Sequence, residues 1–225
     1  MSPEQEIKDF FQKKDITIFA GGSIKEIKDS FPLNKELDLS RLNYAIIFAY
    51  PLPRQVLEGI KERPTLLYKH IYRQVNFLLD RTALELARGL EAKGKKALPI
   101  PASQIIDWEK KLGHLSHRQV GVHLGLGFYG RNNLLVHPEY GSQLRLVTVL
   151  TDWEIDLPGP VKGQELSCGD CTACVKVCPA KAIHTSPADF DRTACFSQVR
   201  EFEKMRGIGV GICGICVKAC SGKRK

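Results

Sequence analysis

CGDCTACVKVCPAKAI, residues 168–183, decides how the rest of this chain is read. It places Cys168, Cys171, Cys174 and Cys178 at the spacing C-x2-C-x2-C-x3-C, with Pro179 next. Three thiols at three-residue intervals can wrap one loop around a metal cluster and turn backbone amides toward its sulfides. After three further residues, in a chain entering a helix, the next thiol faces away, and the proline steers that turn. A second group, Cys213, Cys216 and Cys220 in CGICVKACSGKRK (213–225), has only three thiols, and Cys195 in DRTACFSQ (191–198) stands alone. No cysteine precedes Cys168, so all eight lie in one module attached to a cysteine-free stretch.

The first spacing is that of bacterial ferredoxins, in which the fourth cysteine ligates the other of two [4Fe-4S] clusters. Applied here, Cys178 goes to a second cluster, and Cys220, in the equivalent last place of the second group, completes the first. The count then closes, with Cys168, Cys171, Cys174 and Cys220 on cluster 1 and Cys178, Cys195, Cys213 and Cys216 on cluster 2. Zinc sites use paired C-x2-C spacings, and disulfides belong to secreted scaffolds with cysteines spread through a short chain; neither pattern matches. Two clusters that trade ligands lie close together and carry single electrons, leaving the chemistry to the rest of the chain.

That remainder has the composition of a folded globular protein, with 43% hydrophobic and 26% charged residues in 225. No apolar run reaches the roughly 18 residues that span a bilayer, and MSPEQEIKDFFQKKD lacks a secretory pattern, so a cytoplasmic protein is expected. The formal charge of +8 falls to about +4 if each cluster with its thiolates carries about −2. A helix is expected over 2–13, capped by Ser2 with Pro3 at its first position and Gln5 closing a capping box. Strands are expected at 16–20, ending at Gly21-Gly22, at 44–50, whose unbroken apolar run suits burial on both faces, and at 96–102. Helices are expected at 65–93, from its apolar periodicity, and at 115–124. Residues 133–156 suggest two strands around a turn at 138–142.

The expected fold is thus layered α/β through about residue 157, followed by a Pro- and Gly-rich linker at 157–165. Residues 1–160 form one expected domain and 161–225 a ferredoxin-like one. The latter is too small and too poor in apolar residues to fold without a metal staple. GLGFYG (125–130) spells G-x-G-x-x-G but follows a helix and leads into a strand, the reverse of a dinucleotide site. A helix end needing left-handed glycine geometry explains it instead.

GHLSHRQVGVHLGLGFYGRNNLLVHPEYGSQLRLVTVLTD (113–152), followed by the cysteine module, resembles the epoxyqueuosine reductases and their short relatives. GLGFYGR (125–131) stands where that family has a GLGWIGK-like segment, with NLL (133–135), GS (141–142) and TDW (151–153) after it, and CFSQ (195–198) matches a CISY-like segment at Cys195 and Ser197. The resemblance covers roughly residues 65–220. It implies a flavin-reductase-like α/β domain that holds a cobalamin, with two [4Fe-4S] clusters passing electrons to the cobalt for reduction of an epoxide on a modified tRNA base in queuosine biosynthesis. By carry-over, Gly125, Gly127, Gly130, Asn132, Asn133 and Ser197 line the corrinoid.

Two departures stand out. The family's proton-donating aspartate has no counterpart in GHLSHRQV (113–120), which makes His114 and His117 the candidate donors. The alternative for each is a capping or surface histidine; Tyr129 and Tyr140 are further candidates, with core packing as their other role. The family's helical repeat domain, which grips tRNA, also has no counterpart here. An external donor of ferredoxin or flavodoxin type, a monomeric state and no membrane contact are expected. The basic tail SGKRK (221–225) suits either a phosphate backbone or a solvated end. The competing functional expectation is an electron-transfer protein serving a separate redox partner; a flavin in the α/β domain is a third, with no motif to carry it.

Overall fold

The computed structural model describes residues 2–35, 37–107, 109 and 112–223. Arg224 and Lys225 of the basic tail lie outside them. The helices and strands run α1 (Pro3–Gln12), β1 (Ile18–Ser23), β2 (Tyr44–Pro51), α2 (Arg54–Glu58), α3 (Leu66–Glu91), β3 (Ala97–Ile100), α4 (His117–His123), β4 (Phe128–Tyr129), β5 (Leu135–Val136), β6 (Leu144–Thr151), α5 (Ala173–Val177), α6 (Arg192–Glu203) and α7 (Ile215–Ala219). Two compact units collect these: residues 1–50, 76–126 and 145–164, and residues 51–75, 127–144 and 165–225. The units interleave along the chain.

The first unit is built on a four-stranded sheet of order β1-β2-β6-β3. β1 and β2 pair antiparallel from Ile18 opposite Ala49 to Ser23 opposite Tyr44, and β3 and β6 antiparallel from Ala97 opposite Thr151 to Ile100 opposite Thr148. Ala45, Ile46, Ile47, Phe48 and Ala49 are all buried, as expected for a strand with both faces covered. β1 continues through Gly21 and Gly22 rather than ending there, because Gly21 exchanges backbone hydrogen bonds with Leu157 (2.7 and 2.9 Å). α1 begins where Ser2 Oγ accepts the Gln5 N–H at 3.3 Å. The other half of the capping box does not form, since the Gln5 amide donates to Asp9 Oδ1 at 2.7 Å. α1 buries Ile7 and Phe11, and the Phe11 ring lies 4.8 Å from that of Phe19 and 4.9 Å from that of Phe48. Each such ring contributes about 1.5–3 kcal/mol by leaving water.

The expected linker is part of this unit. Gly159 N–H donates to Leu124 O at 2.8 Å and Val161 N–H to Gly125 O at 3.0 Å, so the segment is pinned by backbone pairing up to Gln164. The two strands expected around the 138–142 turn do exist, but not as a hairpin. β5 pairs with β4, Phe128 opposite Val136, whereas β6 joins the four-stranded sheet. Among the described residues no helix is long and apolar enough to cross a membrane.

Apart from the twelve-residue α6, the elements lying wholly in the second unit are short: two-residue strands β4 and β5, and five-residue helices α2, α5 and α7. α7 packs on both α5 and α2. Polar latches do much of the joining. Lys218 Nζ on α7 donates to Ile60 O at 2.5 Å and Glu58 O at 3.0 Å, covering carbonyls at the end of α2. Lys69 Nζ donates to Gly207 O at 2.7 Å, and Gln143 Nε2 to Lys218 O at 2.9 Å.

Candidate metal centre

The cysteine groups are two copies of one turn. CGDCTACVKVC (168–178) and VGICGICVKAC (210–220) align without a gap. α5 carries Cys174 and α7 carries Cys216, each as the second residue of a five-residue helix. Each helix ends on a cysteine whose N–H turns back, Cys178 to Val175 O at 3.4 Å and Cys220 to Val217 O at 3.2 Å. Val210 stands where the first copy has Cys168. Cys195 sits on α6, whose start is fixed by Asp191 Oδ1 accepting the Ala194 N–H at 2.9 Å.

Burial dominates the thiol electrostatics, and the neighbours that add to it fall into two groups. Burial raises Cys174, with further upward pressure from Cys220, Cys168 and Cys171. Burial also raises Cys220, opposed by hydrogen bonds from the Ser142 hydroxyl and amide, with Cys168 and Cys171 adding to the rise. Cys195 is pushed up to about 11 by burial, then by Cys213, Cys178 and Asp191. Burial raises Cys213, opposed by the Ile215 amide and reinforced by Cys178. Burial raises Cys216 furthest; Cys213, Cys195 and Cys178 reinforce it, then Cys174 from the other group. Thiols buried in this way stay protonated until a metal compensates the charge, and metal binding then releases the protons. Among the described residues, no three His, Cys, Asp or Glu side chains converge closely enough to hold one metal ion. A cubane makes a different demand, taking one thiolate at each of four irons.

Residues outside the motifs seat these turns. Gly141, at φ +58°, lies so close to the second turn that a Cβ there would fall 2.1 Å from Cys220 O. Ser142 N–H donates to that same carbonyl at 3.0 Å, and Lys223 N–H to Pro138 O at 3.0 Å. Ser142 Oγ accepts from buried Asn132 Nδ2 at 3.0 Å. Gln143 is buried, and its Oε1 finds no hydrogen-bond partner among the described residues. None of these roles is visible in local sequence; that α7 repeats α5 is signalled by the shared C-x2-C-x3-C spacing and by the matching pairs Val175-Lys176 and Val217-Lys218.

The residues assigned to a corrinoid are largely engaged by the chain itself. Gly125 follows α4 at φ +77°, the left-handed helix end expected of it, and a Cβ there would meet Lys162 Cα at 2.5 Å. A Cβ at Gly127 would fall 2.5 Å from Val136 O, and one at Gly130 2.5 Å from Val136 Cγ2. Asn132 donates to Ser142 and accepts the Leu134 N–H at 3.3 Å. Asn133 forms the left-handed corner of that turn (φ +56°), and Ser197 is exposed on α6. The histidines also separate. Nδ1 of His117 lies 2.8 Å from Thr148 Oγ1 and Nε2 lies 2.9 Å from Pro101 O. Burial pushes its pKa down to about 4, with the Pro101 bond opposing. The neutral imidazole of His117 is thus favoured between Thr148 and Pro101, and His114 is half-exposed. Tyr129 is 39% exposed, so it is not a core residue, and Tyr140 stacks at 5.5 Å on buried His137.

The fold is shared with known reductases. A reductive dehalogenase whose structure suggests a mechanism for B12-dependent dehalogenation superposes on all of this chain with a TM-score of 0.78 at 16% identity, over 33% of its own length. The epoxyqueuosine reductase of Streptococcus thermophilus also covers all of it, at TM-score 0.60 and 18% identity, over 67% of its length. An epoxyqueuosine reductase bound to an epoxyqueuosine-modified tRNA-Tyr stem loop covers 97% at TM-score 0.58 and 18% identity, over 65% of its length. In sequence, the resemblance to epoxyqueuosine reductases holds. The Lactococcus garvieae enzyme is 39% identical over 106 residues, 47% of this chain and 27% of that one. The Bacillus anthracis enzyme is 28% identical over 186 residues, 81% of this chain and 46% of that one. The chain spans less than half the length of these two relatives. No protein-family model matches it.

Proposed function

We propose that this chain is an iron–sulfur reductase of the epoxyqueuosine reductase kind. Residues 161–225 hold two [4Fe-4S] clusters, and residues 1–160 form the corrinoid-facing part. Cluster 1 takes Cys168, Cys171, Cys174 and Cys220; cluster 2 takes Cys178, Cys195, Cys213 and Cys216. The observation that carries this reading is the division of the buried thiols into those two groups, with Cys216 beside Cys174 where the groups meet. Such clusters accept single electrons from an external ferredoxin- or flavodoxin-type donor. A corrinoid, when bound, supplies a low-potential cobalt centre for reductive chemistry; its support here is the likeness in fold to a B12-dependent enzyme. The epoxide of a modified tRNA base is the proposed substrate, from the sequence relatives. His114 is the proposed proton donor.

The filled space around Gly125, Gly127, Gly130 and Asn132 favours a second reading, electron transfer to a separate partner without a corrinoid. Protein reconstituted with iron and sulfide without oxygen, then given cobalamin and gel-filtered, separates the two. Retained base-off cobalamin and reduction of an epoxyqueuosine-bearing tRNA-Tyr stem loop support the first. Reducible clusters with no retained cobalamin support the second.

A further inference from the structure

Arg131 stands outside both cysteine motifs, yet its guanidinium spans the loop of the first. Nη2 donates to Gly169 O at 2.7 Å, Nη1 to Cys171 O at 2.5 Å and Nε to Thr185 O at 2.5 Å. One acceptor, Gly169, lies between the thiol-bearing positions 168 and 171, the second is the carbonyl of Cys171 itself, and the third lies beyond Cys178. Arg131 is itself held in place. It follows Gly130, whose N–H donates to Leu134 O at 2.9 Å, in a turn closed by Asn133 N–H to Gly130 O at 2.9 Å.

In a trans peptide the C=O of one residue and the N–H of the next point in opposite directions. Drawing the Gly169 and Cys171 carbonyls onto one guanidinium therefore turns the Asp170 and Thr172 N–H groups to the other side of the loop. A planar guanidinium fork holds its carbonyls in fixed directions, whereas a lysine ammonium is a compact charge on a flexible stem and sets their orientation less rigidly. Hydrogen bonds to cluster sulfur and nearby positive charge both favour the reduced, more negative cluster, and so raise its potential.

We propose that Arg131 is a positioning residue that sets the reduction potential of cluster 1, by orienting the amides of the 168–172 loop and placing a fixed positive charge beside it. The proposal rests on the two-cluster reading above and assigns a role that the cysteine pattern does not contain. The first half of the module is then tuned from outside the motif, by a residue on the β4–β5 connection.

The test is an EPR-monitored redox titration of anaerobically reconstituted full-length protein: wild type, Arg131→Lys and Arg131→Gln. The Cys195→Ala variant marks the cluster 2 signal by converting it to a three-iron form. The expected result is two intact cubes in Arg131→Lys with the cluster 1 potential shifted negative. Arg131→Gln shifts it further, or loses cluster 1 alone, and cluster 2 keeps its wild-type potential in both. An unchanged cluster 1 potential in Arg131→Lys overturns the proposal, as does an equal shift of both clusters. Failure of the wild type to take up two clusters would instead overturn the underlying reading.

Discussion

The two units of this molecule reach order by different means. The first has a four-stranded sheet and a three-ring aromatic contact at Phe11, Phe19 and Phe48, so its stability comes from apolar burial. The second has two-residue strands, three five-residue helices beside the twelve-residue α6, and a set of side-chain-to-carbonyl latches from Arg131, Gln143, Lys69 and Lys218. Helices this short are not stable alone. Five of its eight thiols are raised above the ordinary range, with burial the largest cause in each. The difference teaches that interleaved segments of one chain can be ordered by apolar packing in one unit and by side chains reaching carbonyls distant in sequence in the other.

Iron removal should break that comparison most visibly. Metal-site energies run on the order of 10 kcal/mol, so chelation under denaturant-free conditions should abolish amide protection in 165–223 while β1, β2 and β6 stay protected. Loss of protection in both units together would show that burial does not hold the first unit unaided. Next is Gly141→Ala, which puts a Cβ where Cys220 O already sits and forces a left-handed φ on alanine. It should cost more than about 4 kcal/mol locally and appear as loss of cluster 1, with the cluster 2 signal retained. A variant with both cubes at wild-type occupancy would remove the latch from the account.

Phe11→Ala tests the other side. It should destabilise the first unit by about 3–5 kcal/mol in denaturant titration while the cluster absorption is unchanged at zero denaturant. The smallest effect is acid sensitivity from His117. Its folded pKa of about 4 lies below the ordinary histidine value of about 6.5, so the neutral form is favoured on folding. That stabilisation is complete above about pH 6.5 and is lost as pH falls toward 4, about 3 kcal/mol in all. A urea midpoint that falls over this window in wild type, and is flatter in His117→Gln, is expected; identical profiles would place the acid sensitivity elsewhere.

The elements of local pattern were legible in the sequence. The apolar run at 44–50 became a strand buried from Ala45 to Ala49, and the periodic stretch at 65–93 became Leu66–Glu91. The glycine at 125 was read as a helix end, and it has the left-handed geometry of one. Partners distant in sequence were not legible. Nothing near Arg131 indicates that carbonyls at 169, 171 and 185 will converge on it. Nothing near Pro158 indicates that the supposed linker pairs with 124–125, because backbone hydrogen bonds leave no side-chain signature. His117 was read from its chemistry, while its burial beside Thr148 and Pro101 decides its role. Nothing near Gly127 and Gly130 indicates that Val136 will pack against both.

The count of iron and sulfide in the anaerobically purified full chain, taken with its Mössbauer spectrum, tests the central claim most directly. The account predicts about eight iron and eight acid-labile sulfide per chain, all in [4Fe-4S] form, with Cys195→Ala disturbing one cube only. Bound zinc, a single cube, or two undisturbed cubes in Cys195→Ala would contradict it.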